Sequence, residues 1–441
     1  AFIIFHFFWH PPPTTSIQSV QLSLMGQGSS SNEYGTQKWR RENIGYRHRR
    51  RSSTSALGMR NMKACSSCEE ISKNEHHQRN RREFRSHVEF EGSRRCAAPQ
   101  MCDDDFERIK VLGLGSFGKV TLVRDKHSDN VYALKEIKKG ALTDRMKARI
   151  QMERNVMALH RNEFMVKLYY AFQSSDRVCM VMDYCAGGDL YFHLQHHRGK
   201  HSGLPKFVLS QVLLAIGHLH DHGIVYRDLK PENVLFDNDG YVKLGDFGLS
   251  KGGVFSPTEG ATSLCGSLYY LAPEVLLLPQ RPPESQTYGL AVDYYGLGVL
   301  LHEMIFGLPP FFAHNRDEMI EIVETQPLNL STRIPSNLRD FLARLLKKQA
   351  EWRLGSCGGF REVKTHPYLK DVIWEKLSKR QYAPCFVPDA QEMACNFDSS
   401  YTRLPVNSTF CDEFKPTSDH DGHQRDESVI VDFEYHHQFA Q

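Results

Sequence analysis

The sequence predicts an α+β protein with two lobes around one cleft, a small strand-rich lobe followed by a larger helical lobe. Up to about residue 183 the chain carries short β-rich stretches, such as 109–112 and 131–137, that are typical of strands. Beyond residue 188 apolar residues recur at helical spacing. One such face holds Val208, Val212, Ile216 and Leu219. With 40% hydrophobic and 24% charged residues, the chain can build a sizeable core.

Residues 1–105 are predicted to form a disordered basic leader. From residue 14 onward this segment is rich in Ser, Arg, Asn and Gln and has no apolar period, so burial cannot offset the entropy lost on ordering. The chain begins with Ala1, and its apolar run 2–9 is shorter than the ~20 residues of a spanning helix. We therefore expect no transmembrane segment and interpret this run as a truncated or wrongly extended start.

Charge and cysteine content limit the partners and the compartment. A formal net charge of +3 creates no global field that favours nucleic acid, and no nucleic-acid-reading module is recognisable. The basic cluster at 47–51 could meet acidic lipid, nucleic acid or a localisation receptor, but a solvated tail is favoured. Eleven scattered cysteines indicate reduced thiols and a cytoplasmic or nuclear location. Cys65 and Cys68 lack the second pair of a zinc site.

A glycine-rich turn between two β-rich stretches is the first sign of a nucleotide site. Glycines let the backbone approach phosphate groups closely. Dinucleotide-binding domains use a similar spacing, but there the loop opens a helix, whereas here a β-rich stretch follows. The turn therefore predicts a flap over nucleotide phosphates. Its predicted contacts are Leu112, Gly113, Gly115, Ser116, Phe117, Gly118, Lys119 and Val120.

A lysine inside an apolar strand is the second sign. Lys135 follows Ala133 and Leu134, although a strand lysine usually faces water. Phosphoryl transfer needs a fixed cation on the nucleotide phosphates and an anion that positions it. Glu153, in the predicted helix 144–159, is the best candidate for that anion. A plain surface glutamate is the alternative when this residue is considered alone.

Two segments in the helical half carry the chemistry of phosphoryl transfer. The first runs from Tyr226 to Asn233, and the second is Gly245-Asp246-Phe247-Gly248. Asp228 can accept or orient the proton of an attacking hydroxyl, and Lys230 can neutralise charge on the moving phosphoryl group. Asn233 and Asp246 offer hard oxygen ligands for Mg²⁺. Ala272-Pro273-Glu274 follows, and motifs of these kinds in this order are typical of enzymes that transfer phosphoryl groups.

With these motifs, the stretch from Phe106 to Tyr368 resembles the eukaryotic protein kinases. The resemblance implies a bilobal kinase domain over 106–368, divided into 106–183 and 184–368, that uses ATP and Mg²⁺. Tyr226 stands where the family pattern has His, a departure common in the AGC group. Protein kinases B and C and the ribosomal S6 kinases belong to that group, and all three subfamilies stay open. The Asp228-Leu229-Lys230 form is that of serine/threonine kinases.

The resemblance also implies how the nucleotide is held. Met182 would stand behind adenine, the backbones of Asp183 and Cys185 would hydrogen-bond to it, and Val120 and Ala133 would cover the ring. Residues 369–441 resemble the AGC C-terminal tail, from which Phe397 would reach the nucleotide. The end of that tail resembles the hydrophobic motif, with Phe433 as its buried aromatic. Ile430 replaces an expected aromatic, and Glu434 replaces a phosphorylatable residue.

Substrate and regulatory residues follow from the same resemblance. Asp189, Glu232 and Glu303 match positions that face arginines ahead of the acceptor, so protein substrates with Ser or Thr near Arg are expected. Ser267 is expected on the floor of the peptide site. An upstream kinase would phosphorylate Ser263, or Thr262 if the register slips, and the phosphate would pair with Arg227.

Two functional alternatives compete with an active enzyme. A pseudokinase or scaffold would keep the fold without the chemistry, yet all the residues that phosphoryl transfer requires are present. They are Lys135, Glu153, Asp228, Asn233 and Asp246. A nucleic-acid-binding protein would use the basic leader and lacks a reading module.

Overall fold

The computed structural model describes residues 101–114, 118–140, 142–196, 203–389, 392–407, 430 and 433–436. Within these residues the small lobe is a six-stranded antiparallel sheet with the order β1-β2-β3-β5-β4-β8. Its strands are β1 Phe106–Leu114, β2 Gly118–Asp125, β3 Val131–Lys138, β4 Leu168–Gln173, β5 Arg177–Asp183 and β8 Tyr435–His436. The last strand comes from the C-terminal tail, so the tail extends the sheet of the small lobe.

One long helix, α1 (Asp144–Leu159), connects the sheet to the cleft. It begins at Thr143, whose hydroxyl accepts a hydrogen bond from the backbone N–H of Met146 and so satisfies one unpaired donor of the first turn. Apolar residues at three- and four-residue spacing bury one face of α1 beside β4. Glu153 lies on that same buried face, which explains why this glutamate points into the protein.

The large lobe is mostly helical, as predicted, and the prediction of a mixed α+β fold is confirmed. Helices α3 (Leu204–Asp221) and α5 (Ala291–Phe306) pack together at its centre, and both are buried along most of their length. A two-stranded sheet beside the cleft carries the phosphoryl-transfer segments. The elements are α2 Leu190–His196, α3 Leu204–Asp221, β6 Val234–Phe236, β7 Val242–Leu244, α4 Pro273–Leu276, α5 Ala291–Phe306, α6 Arg316–Thr325, α7 Ser336–Leu345 and α8 Gly359–Lys364.

A buried ion pair braces the large lobe. Arg353 donates to both carboxylate oxygens of Glu274, at 2.6 and 2.9 Å. It also donates to the backbone carbonyls of Ala291 and Lys347. Such a bidentate pair with its remaining donors satisfied ties α4 to the chain after α7, and removing either partner would leave an uncompensated buried charge.

The C-terminal tail is more regular than the mostly irregular segment that the sequence predicted. It contains α9 (Trp374–Ser378) and α10 (Ser399–Thr402), and Asp398 caps α10 by accepting from the N–H of Ser400. The tail also passes very close to Gly188, where an added Cβ would lie 2.1 Å from the carbonyl oxygen of Asn396. Glycine is needed there because any side chain would push the tail away.

Most of the predicted disordered leader lies outside the described residues, but its last five residues differ from the prediction. Asp103–Asp105 form a 3₁₀ helix, and Asp103 forms a 2.7 Å ion pair with Arg108 of β1. Order therefore begins ahead of Phe106, because the acidic run finds a partner on the sheet. In the described part of the chain, no helix has both the length and the apolar character that crossing a membrane requires.

Candidate active site

The lysine of β3 and the glutamate of α1 meet in the cleft. Lys135 Nζ donates to Glu153 Oε1 at 2.7 Å and lies 3.8 Å from Asp246 Oδ1. Burial on its own would lower the pKa of Lys135, but the charges of Glu153 and Asp246 outweigh it and raise this pKa. The lysine is therefore a fixed ammonium group held between two carboxylates.

Asp246 faces the same space from the loop after β7. Burial alone would raise the pKa of Asp246, yet the ammonium groups of Lys135 and Lys230 hold it below its ordinary value. The residue adopts a left-handed backbone conformation with φ 52°, which is uncommon outside glycine and concentrates at functional sites. An ionised carboxylate is thus aimed into the cleft at a strained position.

The segment between α3 and β6 places a second carboxylate opposite. Asp228 Oδ2 accepts from Asn233 Nδ2 and from Lys230 Nζ, each at 3.0 Å. Its other oxygen, Oδ1, accepts from the hydroxyl of Ser267 at 3.0 Å. Asn233 Nδ2 also donates to the backbone carbonyl of Asp228, so its amide orientation is set. A hydroxyl group can therefore approach Asp228 Oδ1 while Oδ2 is held by the protein.

A buried aspartate holds this segment in place. Asp293 of α5 accepts from the backbone N–H groups of Tyr226 and Arg227, each at 2.8 Å, and from His220 Nε2 at 2.7 Å. Arg227 is left-handed with φ 73°, and the two charge-assisted bonds stabilise this conformation. The geometry of Asp228 is in this way anchored to the centre of the large lobe.

An apolar cluster lines the cleft beside the phosphoryl-transfer residues. Ala133 lies opposite Met182 in the sheet, and the buried or partly buried side chains around this pair come from both lobes and from the tail. The cluster includes Leu112, Val120, Leu122, Ala133, Met182, Tyr184 and Phe397. Phe397 lies parallel to Tyr184, with ring centroids 6.1 Å apart. A flat aromatic ligand would fit between such walls.

Three predicted nucleotide contacts lie outside the described residues, namely Gly115, Ser116 and Phe117. Gly113 pairs with Val120, so the glycine-rich motif joins two antiparallel strands, as predicted. The side chain of Lys119 is engaged by the tail, since its Nζ donates to the carbonyl of Val406 at 3.0 Å. Neighbouring side chains of a strand alternate in direction, so Lys119 points away from the face that Val120 gives to the cluster.

Comparison with known proteins identifies this arrangement. The family described as "Protein kinase domain" matches residues 106–369. The chain belongs to the protein kinase family. Serine/threonine-protein kinase gad8 of Schizosaccharomyces pombe is 40% identical over 313 residues, 70% of this chain and 53% of gad8. Serine/threonine-protein kinase Sgk1 of Danio rerio is 38% identical over 318 residues, 71% of this chain and 72% of that protein.

A third relative has a similar match: Protein kinase 2 of Dictyostelium discoideum is 40% identical over 286 residues, 65% of this chain and 58% of that protein. The kinase therefore spans about half the length of gad8 and nearly three quarters of Sgk1. The prediction of a serine/threonine kinase of the AGC group is confirmed by the family and by these relatives.

The kinase brings together its two predicted regulatory residues beside the catalytic segment. Arg227 Nη1 donates to the hydroxyl of Ser263 at 2.8 Å and to the hydroxyl of Tyr288 at 3.0 Å. The same guanidinium donates to the backbone carbonyl of Leu249, next to Asp246-Phe247-Gly248. A phosphate on Ser263 would thus meet a guanidinium group already in place.

The three predicted substrate carboxylates all influence the pKa of one tyrosine. The charges of Glu232, Glu303 and Asp189 all contribute, after burial, to raising the pKa of Tyr191. Burial, and after it the charges of Glu232 and the tail residue Asp398, raises the pKa of Asp189 to about 7. Burial likewise raises the pKa of Glu232. These acids form a patch in which negative charges repel one another, and a bound cation would reduce that repulsion.

The tail segment that was predicted to be a hydrophobic motif lies on the small lobe. Phe433 is fully buried and Ile430 is nearly so, although Ile430 departs from the family pattern. Gln173 Nε2 donates to the Ile430 carbonyl and to Glu434 Oε1, each at 2.9 Å. Tyr435 and His436 pair with β4 through Ala171 and Tyr170. Glu434, which stands where the resemblance expects a phosphorylatable residue, is thus bound by the neutral amide of Gln173.

Sequence reasoning missed three residues at these sites. Arg154 and Gln173 bind the tail, and Asp398 adds to the acidic patch. No sequence signal separates Arg154 or Gln173 from ordinary surface polar residues, since their partners lie more than 250 positions away. Asp398 follows Phe397 in a recognised segment, so its position was a usable signal.

Proposed function

We propose that this protein is an active serine/threonine kinase that moves the γ-phosphoryl group of ATP to hydroxyls of protein substrates. The observation that carries the proposal is the contact of Lys135 with Glu153, with Asp246 beside them. A scaffold has no need to keep this charged group assembled in a cleft. The kinase domain is assigned to 106–368 and the tail to 369–441.

The residues present fit a magnesium nucleotide. Asp246 is an ionised carboxylate at the cleft. Asn233 donates through Nδ2 to Asp228, so its amide oxygen is the atom that could coordinate a cation. Oxygen donors of this kind suit Mg²⁺, so Asp246 and Asn233 would hold it. Bound Mg²⁺ neutralises phosphate charge. Lys135 would grip the nucleotide phosphates, and the cluster around Ala133 and Met182 would cover the base.

Asp228 would act on the substrate. Its Oδ1 accepts from the Ser267 hydroxyl, and a serine or threonine hydroxyl of a protein could donate to the same oxygen. Asp228 would then orient that hydroxyl and take its proton, while Lys230 beside it would offset charge on the transferring group. Asp293 would keep this geometry by holding the two backbone N–H groups ahead of Asp228.

The acidic patch supports a preference for arginine in the substrate. Asp189, Glu232 and Glu303 gather negative charge beside the catalytic segment, and guanidinium groups bind carboxylates bidentately. Ser263 at Arg227 supports activation by an upstream kinase. We propose that the protein acts in the cytoplasm or nucleus, a location with which the free thiols of the seven described cysteines are compatible.

A transfer assay with the full chain, labelled ATP, Mg²⁺ and an arginine-containing serine peptide tests the proposal. Wild type should phosphorylate the peptide, and Asp228→Asn should lose transfer while still binding nucleotide. Asp246→Asn should instead weaken binding of Mg-ATP. Undiminished turnover in Asp228→Asn would remove this aspartate from the mechanism. Wild type that binds nucleotide without any transfer after phosphorylation at Ser263 would establish the scaffold alternative.

A further inference from the structure

Three histidines meet on the side of the protein where α1 ends. His160 directly follows α1 and caps its C-terminus, and His218 and His222 lie one turn apart at the end of α3. One ring nitrogen from each lies within 4.8 Å of the others. We propose that these three histidines bind a divalent transition-metal ion of the Zn²⁺ class.

A hydrogen bond within the cluster leaves a nitrogen lone pair of His222 for such an ion. His222 Nδ1 lies 2.7 Å from the backbone carbonyl of His218. A carbonyl only accepts, so Nδ1 carries the proton and Nε2 keeps its lone pair. Binding one ring nitrogen to a carbonyl in this way is how metal-binding histidines are usually oriented. The four-residue spacing then places His218 and His222 on the same side of α3.

His218 supplies the second observation. Its Nε2 atom is buried and has no hydrogen-bond partner, although a buried polar atom without a partner is costly. Packing of the rings alone would leave this nitrogen unsatisfied, whereas a bound ion would satisfy it.

The ring arrangement is compatible with coordination after a small adjustment. The His222 ring centroid lies 4.7 Å from that of His160 and 4.5 Å from that of His218, and the rings are inclined at 62° and 47°. A tetrahedral ion with Zn–N bonds of about 2.0–2.1 Å needs its nitrogens about 3.4 Å apart. Modest side-chain rotations would close that gap.

The chemistry of the cluster separates it from the nucleotide site. Imidazole nitrogens favour Zn²⁺, Co²⁺, Ni²⁺ or Cu²⁺, whereas Mg²⁺ favours oxygen ligands. Three protein nitrogens leave a fourth position for water. Since His160 ends the helix that carries Glu153, the bound ion would tether that helix to α3 of the large lobe.

Metal titration of the metal-free full chain tests the site, without ATP or Mg²⁺. Co²⁺ should give the visible absorption of a tetrahedral histidine site, and Zn²⁺ should displace it. His222→Ala, at an exposed position, should weaken binding at least about tenfold, and so should His160→Ala. The matched control is His314→Ala, an exposed histidine outside the cluster, which should bind as wild type does.

Thermal unfolding shows whether a variant loses metal binding because it lacks a ligand or because it is misfolded. Zn²⁺ should raise the Tm of wild type and of the control but not that of His222→Ala, while all three should melt alike in chelator. Two outcomes would overturn the proposal. One is equal Co²⁺ affinity in wild type and His222→Ala. The other is a thiolate-to-cobalt charge-transfer band, which would assign the ion to cysteines.

Discussion

Arg154 donates a 3.1 Å hydrogen bond from Nε to the backbone carbonyl of Phe433. The same guanidinium donates to the carbonyl of Glu434 at 2.8 Å and lies over the ring of Tyr435. Arg154 is the neighbour of Glu153 on α1, so the docked tail and the glutamate of the active site share one helix. We predict that this docking needs no phosphate, because Glu434 stands where the resemblance expects a phosphorylatable residue and its carboxylate already accepts from Gln173.

Loss of the motif should therefore lower activity. Phe433→Ala should cut the transfer rate several-fold, because burying such a side chain is worth roughly 1.5–3 kcal/mol and that free energy favours the position of α1 seen here. Deletion of 429–441 should do the same, and Glu434→Ala should do less, because the group that binds its carboxylate is a neutral amide, that of Gln173. Peptide transfer rates and Tm would be measured together.

Trp352→Ala is a suitable control for the loss of an aromatic side chain, since Trp352 is 76% exposed. This substitution should leave the peptide transfer rate and the Tm unchanged. Unaltered activity and Tm after truncation before Val429 would show that the motif does not act on α1.

Phosphorylation of Ser263 should activate the enzyme. A phosphate brings about −1.5 to −2 charges beside Arg227, which already contacts the serine hydroxyl. Ser263→Ala should reduce transfer strongly, at least about tenfold for one charge-assisted contact of 1.5–3 kcal/mol. Mass spectrometry and transfer assays would be run on the same samples.

Thr258→Ala, in the same loop, is the matched control and should stay active. A fully active, unphosphorylated Ser263→Ala protein would contradict this regulation. If Thr262→Ala alone loses activity, the phosphate belongs at Thr262.

Recognition of arginine should depend on pH. The pKa of Asp189 is raised to about 7, so this carboxyl is protonated below that pH and charged above it. The KM for an arginine peptide should fall as pH rises from about 6 to about 8, because the ionised form binds guanidinium. Steady-state kinetics at fixed saturating ATP would measure it.

Two variants separate this effect from the chemistry. Asp189→Asn should have a higher KM that no longer changes over this range, and Glu232→Gln should raise KM at every pH with kcat nearly unchanged. A peptide with Ala in place of Arg should not respond to pH. An identical pH profile in wild type and Asp189→Asn would contradict the assignment.

Contact between the tail and Gly188 should support nucleotide binding. Gly188 has φ +68°, and a Cβ there would clash with the carbonyl oxygen of Asn396. Gly188→Ala should displace the tail that carries Phe397 and raise the KM for ATP. Gly253→Ala is a matched control, because Gly253 has φ +77° with no atom within 4 Å of an added Cβ.

Both substitutions carry the backbone strain of about 1–2 kcal/mol for a left-handed residue, but only Gly188→Ala adds the clash. Equal KM values for ATP in the two variants would show that the tail does not contribute to the nucleotide site.

The sequence by itself determined the fold class and the chemistry. Strand and helix periodicity predicted the two lobes, and the segments around Asp228 and Asp246 predicted phosphoryl transfer. These signals are local, since each motif places its reactive groups within a few consecutive residues. The helix 144–159 was predicted at the bounds observed, because its apolar spacing also lies in one stretch of chain.

Only the tertiary structure decided which distant residues meet. Arg154 with Phe433, Gln173 with Ile430, and the three histidines at the end of α1 involve common side chains separated by long stretches of chain. Their partners depend on how the sheet, the helices and the tail pack in three dimensions. Lys119 shows the same limit, because its place in the glycine-rich motif did not reveal that strand alternation turns it towards the tail.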